Sequence, residues 1–176
     1  MTCIVGVSEQ GKVYLGADSA SVSDWDIRIT KLQKVFHKGQ VVIGYTGSFR
    51  MGQLLQHRLI VPPCVDAKPL PYMVNVFVEA VRQCFRDGGY TKIDNNQEEG
   101  GHFLVGYRGV LYYVGGDFQV NSYQDGIAAV GCGADYALAA LHVLPGLPPR
   151  ERIQRALETA AYFSNGVVGP FYQVEV

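Results

Sequence analysis

A threonine stands second in the chain, directly ahead of an apolar run typical of a β-strand, in the opening "MTCIVGV". A threonine hydroxyl is a weak nucleophile and needs a neighbouring base to take its proton; a free α-amino group on the same residue can be that base. Such an amine has an ordinary pKa of about 7.7 to 8.0, close to working pH. If Met1 is removed, Thr2 would carry a nucleophile and its base on one residue.

Cys3 is the rival nucleophile. Successive residues of a strand point to opposite faces, so only one of Thr2 and Cys3 can face a shared site. A cysteine within an apolar strand usually behaves as a small core side chain. We therefore interpret Cys3 as a buried thiol and Thr2 as the candidate nucleophile.

Two hairpins are predicted in the first fifty residues. Short β-rich runs over 3–7 and 13–17 flank "SEQGK", where Gly11 can adopt a positive φ. The stretch "KVFHKGQVVIGYTG" repeats this pattern, with a turn at Lys38-Gly39 and an end at Gly47. The candidate nucleophile thus lies at the start of a strand that a hairpin partner holds.

The middle of the chain predicts two helices. The first spans 49–59, and "PPCVDAKPLP" separates it from a second helix that begins near Tyr72 and carries one apolar stripe. The polar, glycine-rich stretch "DGGYTKIDNNQEEGG" predicts a loop.

The second half repeats the arrangement. Strands are predicted in "HFLVGYRGVLYYVGGDFQV" and "GIAAVGCG", followed by a helix over 134–144, a last helix that starts at Pro148-Pro149, and a strand in "GVVGPFYQVEV". Separate blocks of strands and helices indicate an α+β fold with antiparallel sheets. We expect a four-layer αββα sandwich of two stacked sheets with a helix pair outside each.

Composition limits the classes of partner. The 176 residues suit a single domain over 1–176, and a formal net charge of -1 with scattered Lys and Arg argues against a nucleic-acid partner. Apolar runs such as "VVIGY" are far shorter than the roughly 20 residues that a membrane span needs. The four cysteines lack CxxC spacing and no cationic leader precedes them, so we expect a reduced, cytoplasmic protein without a membrane partner.

Four short segments carry a family resemblance. "TCIVGV", "LGADS", "KVF" and "IGYTGS" together resemble the proteasome β-subunit and HslV peptidase family of N-terminal nucleophile (Ntn) hydrolases, and "AVGCGADYALAAL" and "SNGVVGPFYQV" extend the resemblance over most of the chain. "FRMGQLL" is also similar to short proteasome-like chains carried by bacteriophages. The resemblance implies the αββα Ntn-hydrolase fold and a threonine peptidase.

By this resemblance Thr2 is the nucleophile, and Lys34 lies beside it and keeps its amine unprotonated. Asp18 would pair with Lys34, and the backbone N–H of Gly47 would stabilise the oxyanion of acyl transfer. Lys31 is the competing lysine if the alignment shifts by three residues.

The chain departs from the family pattern at two positions. Cys132 stands where the family usually carries a serine between two glycines, and a thiol is a weaker hydrogen-bonding group than a hydroxyl. The family's acid three residues before its Ser-Gly-Gly aligns with Ala161, whereas Ser164 is retained in "SNG". Both departures bear on whether the chain turns substrate over.

Other motifs are weak. "VGCGADYA" partly resembles a dinucleotide-binding loop but lacks its third glycine, and the four histidines lack metal-ligand spacing. We therefore expect no metal and no cofactor, and any ATP dependence would come from a separate unfoldase because the chain has no phosphate-binding loop.

The leading hypothesis is a threonine peptidase that cleaves peptides or unfolded proteins through an acyl-enzyme on Thr2, in a homo-oligomeric ring. Two alternatives stay open. One is an amide hydrolase of the same fold that acts on a small molecule, and the other is a catalytically silent scaffold subunit, suggested by Ala161 and Cys132.

Overall fold

A computed structural model describes residues 1–23, 26–64 and 68–176. Along the chain its strands are β1 (Cys3–Glu9), β2 (Lys12–Ala17), β3 (Ala20–Ser23), β4 (Asp26–Ile29), β5 (Val35–Lys38), β6 (Val41–Tyr45), β7 (Lys92–Asp94), β8 (Gln97–Glu99), β9 (Phe103–Tyr107), β10 (Val110–Val114), β11 (Val120–Asn121), β12 (Ile127–Gly131) and β13 (Tyr172–Glu175). Its helices are α1 (Phe49–Gln53), α2 (Pro69–Tyr72), α3 (Val78–Asp87), α4 (Ala134–Val143) and α5 (Pro149–Phe163).

Two antiparallel sheets form the centre of the molecule. The first has the strand order β12-β1-β2-β13 and the second has the order β11-β10-β9-β6-β5. Their facing sides interlock through apolar residues such as Ile4, Leu15, Val42 and Leu104, all of which are fully buried. Because strand side chains alternate between faces, each sheet also presents a second apolar face that a helix layer must cover.

Helices cover both outer faces. On the first sheet, Val5 and Val7 pack against α4 and α5 through residues such as Leu141 and Leu157. On the second sheet, the layer formed by α1 to α3 packs against strand residues such as Ile43. The observed order of layers is therefore helix, sheet, sheet, helix, which confirms the four-layer α+β prediction.

The helices over the second sheet contain two π-helical turns. The chain continues from α1 into a π-helical turn at Leu54–Arg58, and a second turn at Met73–Phe77 joins α2 to α3. The predicted second helix thus starts at Pro69 rather than near Tyr72, because a proline at the first helical position needs no N–H partner. The predicted break between the two helices includes residues 65–67, which lie outside the described residues.

Two hairpins were not predicted. β3 and β4 pair antiparallel directly after Asp18, and β7 and β8 form a short hairpin within the stretch that the sequence predicted to be a loop. These strands have only three or four residues, and although "ASVS" and "DIRI" alternate, so short a run does not establish a period that distinguishes a strand from a loop.

No helix within 1–23, 26–64 and 68–176 is long and apolar enough to cross a membrane.

Candidate active site

Thr2 lies immediately before β1, against the end of β12. Its side chain is buried, and the following residue, Cys3, is in register with Gly131 of β12. Gly131 has a φ of +103°, and a Cβ at this position would lie 2.1 Å from the carbonyl oxygen of Thr2. Only glycine combines this left-handed backbone with such a close approach, so the end of β12 fixes the main chain of Thr2.

Asp18 and Lys34 form a buried ion pair behind Thr2. The Lys34 Nζ lies 3.0 Å from both carboxylate oxygens of Asp18, and the side chains are 1% and 0% exposed. Asp18 also accepts hydrogen bonds from the backbone N–H of Cys3 at 2.9 Å and of Ala20 at 2.8 Å. One carboxylate therefore holds the lysine, the strand that carries Thr2, and the start of β3.

Burying the Asp18–Lys34 pair costs free energy because both charged groups leave water. Burial lowers the pKa of Lys34 from its ordinary value, and the charge and hydrogen bonds of Asp18 oppose this shift. Removing two charges from water is costly unless each meets a partner of good geometry. The two contacts of 3.0 Å meet that condition and hold a cation in the interior next to Thr2.

The carbonyl group of Met1 occupies the space between Thr2 and Lys34. The Thr2 hydroxyl donates to the Met1 carbonyl oxygen at 2.5 Å, and the Lys34 Nζ lies 3.5 Å from the same oxygen. Because Met1 acylates Thr2, the Thr2 nitrogen is an amide and has no basic lone pair in this form. The geometry nevertheless places a hydroxyl, a carbonyl and a cation together, as acyl transfer requires.

Cys132 contacts both main-chain groups of Thr2. The Thr2 N–H donates to the Cys132 Sγ at 3.3 Å, and the Cys132 thiol lies 3.4 Å from the Thr2 carbonyl oxygen. The Ser164 hydroxyl lies 3.7 Å from the same sulfur. The structure thus brings together Thr2, Cys132 and Ser164, and a thiol stands where a hydroxyl would give shorter hydrogen bonds. Ala161 lies one turn earlier on α5 and offers only a methyl group.

Gly47 lies between β6 and α1, with a φ of +87° that favours glycine. Ser48, the N-cap of α1, follows it and accepts hydrogen bonds from the N–H groups of Arg50 and Met51, which fixes the turn. Gly47 and Thr2 line the same small cavity of about 80 Å³, together with Tyr45. This places the candidate oxyanion donor beside the candidate nucleophile.

The structure also distinguishes the alternatives that the sequence left open. Lys31 is exposed, whereas Lys34 is buried at the site. Cys3 is fully buried among residues of α4 and α5, on the face of β1 that points away from the second sheet. Burial, with a smaller contribution from Asp18, raises the pKa of the Cys3 thiol to about 12. Such a thiol is protonated at neutral pH and is a poor nucleophile.

Alkylation should therefore separate the two cysteines. With iodoacetamide at pH 8 we expect the exposed Cys132 to be modified and Cys3 to stay intact, since a pKa of about 12 leaves only on the order of one thiolate in ten thousand at Cys3. Peptide mapping after the reaction measures both sites, and the same reaction in denaturant, where both should react, is the control. Equal labelling of the two thiols in the folded protein would contradict this placement of Cys3.

A large cavity next to the site was not predicted from the sequence. It has a volume of about 770 Å³, begins at Gly47 and Gly131, and reaches Tyr113, Tyr123 and Asp125. Its lining comes from the segment after β6, the segment before β9, β10, β12 and α4, which are distant in sequence. No local pattern could have indicated it.

Comparison with known proteins agrees with this geometry. The chain is 29% identical over 166 residues to the ATP-dependent protease subunit HslV of Aquifex aeolicus, covering 91% of this chain and 89% of that protein. This similarity along nine-tenths of both sequences supports an Ntn hydrolase of the HslV and proteasome β-subunit type. No family model matches the chain.

Solved structures share the fold of this chain. BPH of Thiobacillus denitrificans superposes with a TM-score of 0.83 at 18% identity, covering 99% of this chain and 97% of that one, and has also been solved in complex with epoxomicin. HslV of Trypanosoma brucei superposes with a TM-score of 0.70 at 18% identity, covering 99% and 98%. At this level of identity the superpositions concern the fold, and the roles of individual residues must be argued from the site.

Proposed function

We propose that the chain is an N-terminal threonine peptidase whose nucleophile is Thr2 after removal of Met1. The observation that carries this proposal is the buried Asp18–Lys34 pair, whose Nζ lies 3.5 Å from the carbonyl oxygen to which the Thr2 hydroxyl donates. A buried cation is costly and serves no packing need that an apolar side chain could not meet. Its position beside the Thr2 hydroxyl and the Met1 carbonyl indicates a role in catalysis.

The reaction begins with the free amine of Thr2. The nearby Lys34 ammonium disfavours protonation of this amine, so it can accept the hydroxyl proton as Thr2 Oγ1 attacks the substrate carbonyl carbon. The carbonyl oxygen becomes an oxyanion, which the N–H of Gly47 stabilises. When the intermediate collapses, the C–N bond breaks, and the Thr2 ammonium returns its proton to the departing amine.

The product of the first stage is an ester between the substrate acyl group and Thr2. Water then attacks the ester carbonyl, and the Thr2 amine takes one proton from that water. As the C–O bond to Thr2 breaks, the Thr2 ammonium returns this proton to Oγ1. The carboxylic acid leaves and the hydroxyl is restored. In this scheme Asp18 is a positioning residue that holds Lys34 and the N–H of Cys3 in place.

Two of the similar proteins support this proposal. The Aquifex aeolicus relative is described as a subunit of an ATP-dependent protease, and the Thiobacillus denitrificans structure holds epoxomicin, a peptide epoxyketone. We propose by analogy that the chain acts as a single domain in a homo-oligomeric ring, in the cytoplasm. It would cleave peptides or unfolded proteins there, with a separate ATP-dependent unfoldase as partner.

Two other functions each have one observation in their favour. Ala161 and Cys132 replace groups that the family resemblance assigns to support of the amine, which favours a catalytically silent scaffold subunit. The cavity of about 770 Å³ is large enough for a small molecule, which favours a small-molecule amide hydrolase.

Intact mass spectrometry with and without epoxomicin tests the peptidase proposal. We expect the purified chain to lack Met1 and to gain one epoxomicin per chain, which peptide mapping places on Thr2, because the epoxyketone bonds to both the hydroxyl and the amine of an N-terminal threonine. Pretreatment with acetic anhydride, which acylates the amine, should prevent the adduct. A chain produced with Thr2 as its first residue and yet inert to the inhibitor would exclude the peptidase and favour the scaffold.

A further inference from the structure

Cys132 places a sulfur in direct contact with the nitrogen of the candidate nucleophile. The Cys132 Sγ lies 3.3 Å from the Thr2 nitrogen and 3.4 Å from the Thr2 carbonyl oxygen. Cys132 is an exposed residue, whereas Cys3, the residue after Thr2, is fully buried. An oxidant in solution therefore meets a thiol whose nearest polar neighbour is the group that the proposed reaction uses as its base.

Removal of Met1 changes both sides of this contact. The Thr2 nitrogen is an amide while Met1 is attached, and it becomes a free amine with a basic lone pair when Met1 leaves. The Met1 side chain and the Cys132 sulfur also lie against the same glycine, since a Cβ at Gly166 would lie 2.7 Å from the Met1 Sδ and 2.9 Å from the Cys132 Sγ. The loss of Met1 therefore opens space beside the sulfur and gives it a nucleophilic neighbour in one step.

The surroundings direct oxidation to Cys132 rather than to Cys3. A peroxide reacts with a thiolate, and burial raises the pKa of the Cys3 thiol to about 12, so this thiol stays protonated at neutral pH. Burial lowers the pKa of Lys34, and the charge of Asp18 and, to a smaller extent, that of a Cys132 thiolate oppose this shift. The Lys34 ammonium is thus close enough to attract the reactive form of Cys132.

We propose that the Cys132 thiol and the free amine of Thr2 form a reversible sulfenamide bond when the protein meets hydrogen peroxide. This inference rests on the removal of Met1 in the proposed function. The Cys132 thiolate first attacks one peroxide oxygen, the O–O bond breaks with loss of hydroxide, and the sulfur is oxidised by two electrons to a sulfenic acid. The Thr2 amine then attacks the sulfur, the S–N bond forms as the S–O bond breaks, and one amine proton leaves with the hydroxyl as water.

The sulfenamide removes the base from the proposed reaction. Its nitrogen is bonded to sulfur and no longer takes the proton of Thr2 Oγ1, so the hydroxyl is left without an acceptor. A small thiol reverses the bond: it attacks the sulfur, the S–N bond breaks with return of a proton to the Thr2 amine, and a second thiol releases Cys132 from the mixed disulfide. The serine that the family pattern has at this position could form no such bond. The departure at Cys132 therefore adds a redox control to the site.

Peptide mapping after peroxide treatment tests the bond. We expect a chain produced with Thr2 as its first residue to lose the mass of two hydrogen atoms in hydrogen peroxide, and to give residues 2–12 joined to residues 109–150 after trypsin without reductant. Epoxomicin labelling of the treated chain should fall at least about fivefold, and dithiothreitol should restore it to within about twofold of the untreated chain. Cys132→Ser is the control, and it should show neither the joined peptides nor a peroxide-dependent change in its own labelling.

A disulfide between Cys3 and Cys132 would lose the same mass and join the same peptides, so a second measurement separates the two bonds. Iodoacetamide in denaturant should label Cys3 within the joined pair, and Cys3→Ala should still give the joined peptides. Loss of the joined peptides in Cys3→Ala, a Cys132 that only gains oxygen atoms, or a Cys132 that peroxide leaves unmodified overturns the sulfenamide. These readouts require no peptide hydrolysis, and epoxomicin labelling of the untreated chain tests the peptidase by itself.

Discussion

Replacing Thr2 by alanine is expected to abolish peptide hydrolysis and epoxomicin labelling together. The change removes the hydroxyl and leaves the α-amine, Lys34 and the cavity in place. Removing the nucleophile of a hydrolase that forms an acyl-enzyme typically costs on the order of 10⁴ to 10⁶ in kcat. Initial rates on a fluorogenic tripeptide measure the loss, with intact mass as the second readout.

Thr2→Ser is the matched control for this experiment. Serine keeps the hydroxyl and the α-amine but lacks the branch at Cβ that restricts χ1. We expect it to keep labelling and to lose at most about tenfold in rate, since only the aim of the nucleophile is loosened. If Thr2→Ala hydrolysed the peptide as fast as the parent chain, the activity would belong to another residue or another protein. If Thr2→Ser were as inactive as Thr2→Ala, the hydroxyl alone would not account for the reaction.

The fold was largely predictable because its signals are local. Apolar runs broken by turn residues predicted β1, β2, β5 and β6, and the blocks of strands and helices gave the order of layers. The hairpins β3–β4 and β7–β8 were not predicted because strands of three or four residues are too short to establish a period. The π-helical turns were not predicted. Each is so short that its longer repeat cannot be told from that of an α-helix in the sequence.

The candidate site, like the fold, has a part that the sequence predicts and a part that it does not. Thr2, Asp18, Lys34 and Gly47 each stand next to a sequence pattern that predicts a strand, and the family resemblance assigns each of them a role. The structure places Thr2, Asp18 and Lys34 within hydrogen-bond reach of one another or of Met1. The hydrogen bond from the N–H of Cys3 to the Asp18 carboxylate was not predicted. It depends on the register between β1 and β2, which the sequence of neither strand specifies.

The edge of β12 was beyond sequence reasoning altogether. "GIAAVGCG" predicts a strand, but a strand pattern does not say which neighbours it has or which side is left open. That property depends on sheet order and on the parity of the ladder, and both are long-range. The candidate chemistry, by contrast, rests on a few residues with local signatures.

Substitutions in the Asp18–Lys34 pair should affect stability and activity differently. Lys34→Met leaves a buried carboxylate without its cation, and Asp18→Asn leaves a buried ammonium without its anion. Either single change should lower the free energy of unfolding by about 3 to 5 kcal/mol, because an uncompensated buried charge is costly. Urea denaturation followed by tryptophan fluorescence or circular dichroism measures the loss.

The double variant Asp18→Asn/Lys34→Met removes both charges and should recover most of this stability. The residual loss is about 1 to 3 kcal/mol, since one asparagine oxygen cannot accept from both Cys3 and Ala20 as the carboxylate does. Hydrolysis should stay at least about a hundredfold below the parent in the double variant, because no cation remains beside the amine of Thr2. Recovery of activity together with stability would reduce the pair to a structural role.

The pH dependence of Asp18→Asn gives an independent check on the same pair. Without Asp18, the burial that lowers the pKa of Lys34 is no longer opposed, so the folded state binds fewer protons than the unfolded state, whose lysine titrates near 10.5. Stability then rises with pH between the lowered pKa and 10.5. The loss in the free energy of unfolding of Asp18→Asn relative to the parent should therefore become smaller as the pH rises between these two values. The corresponding loss for Lys34→Met should not follow this course, because that variant has no ammonium at position 34. Parallel pH profiles for the two variants would mean that the buried lysine carries no charge for Asp18 to hold, and the proposed electrostatic control of the Thr2 amine would fail with it.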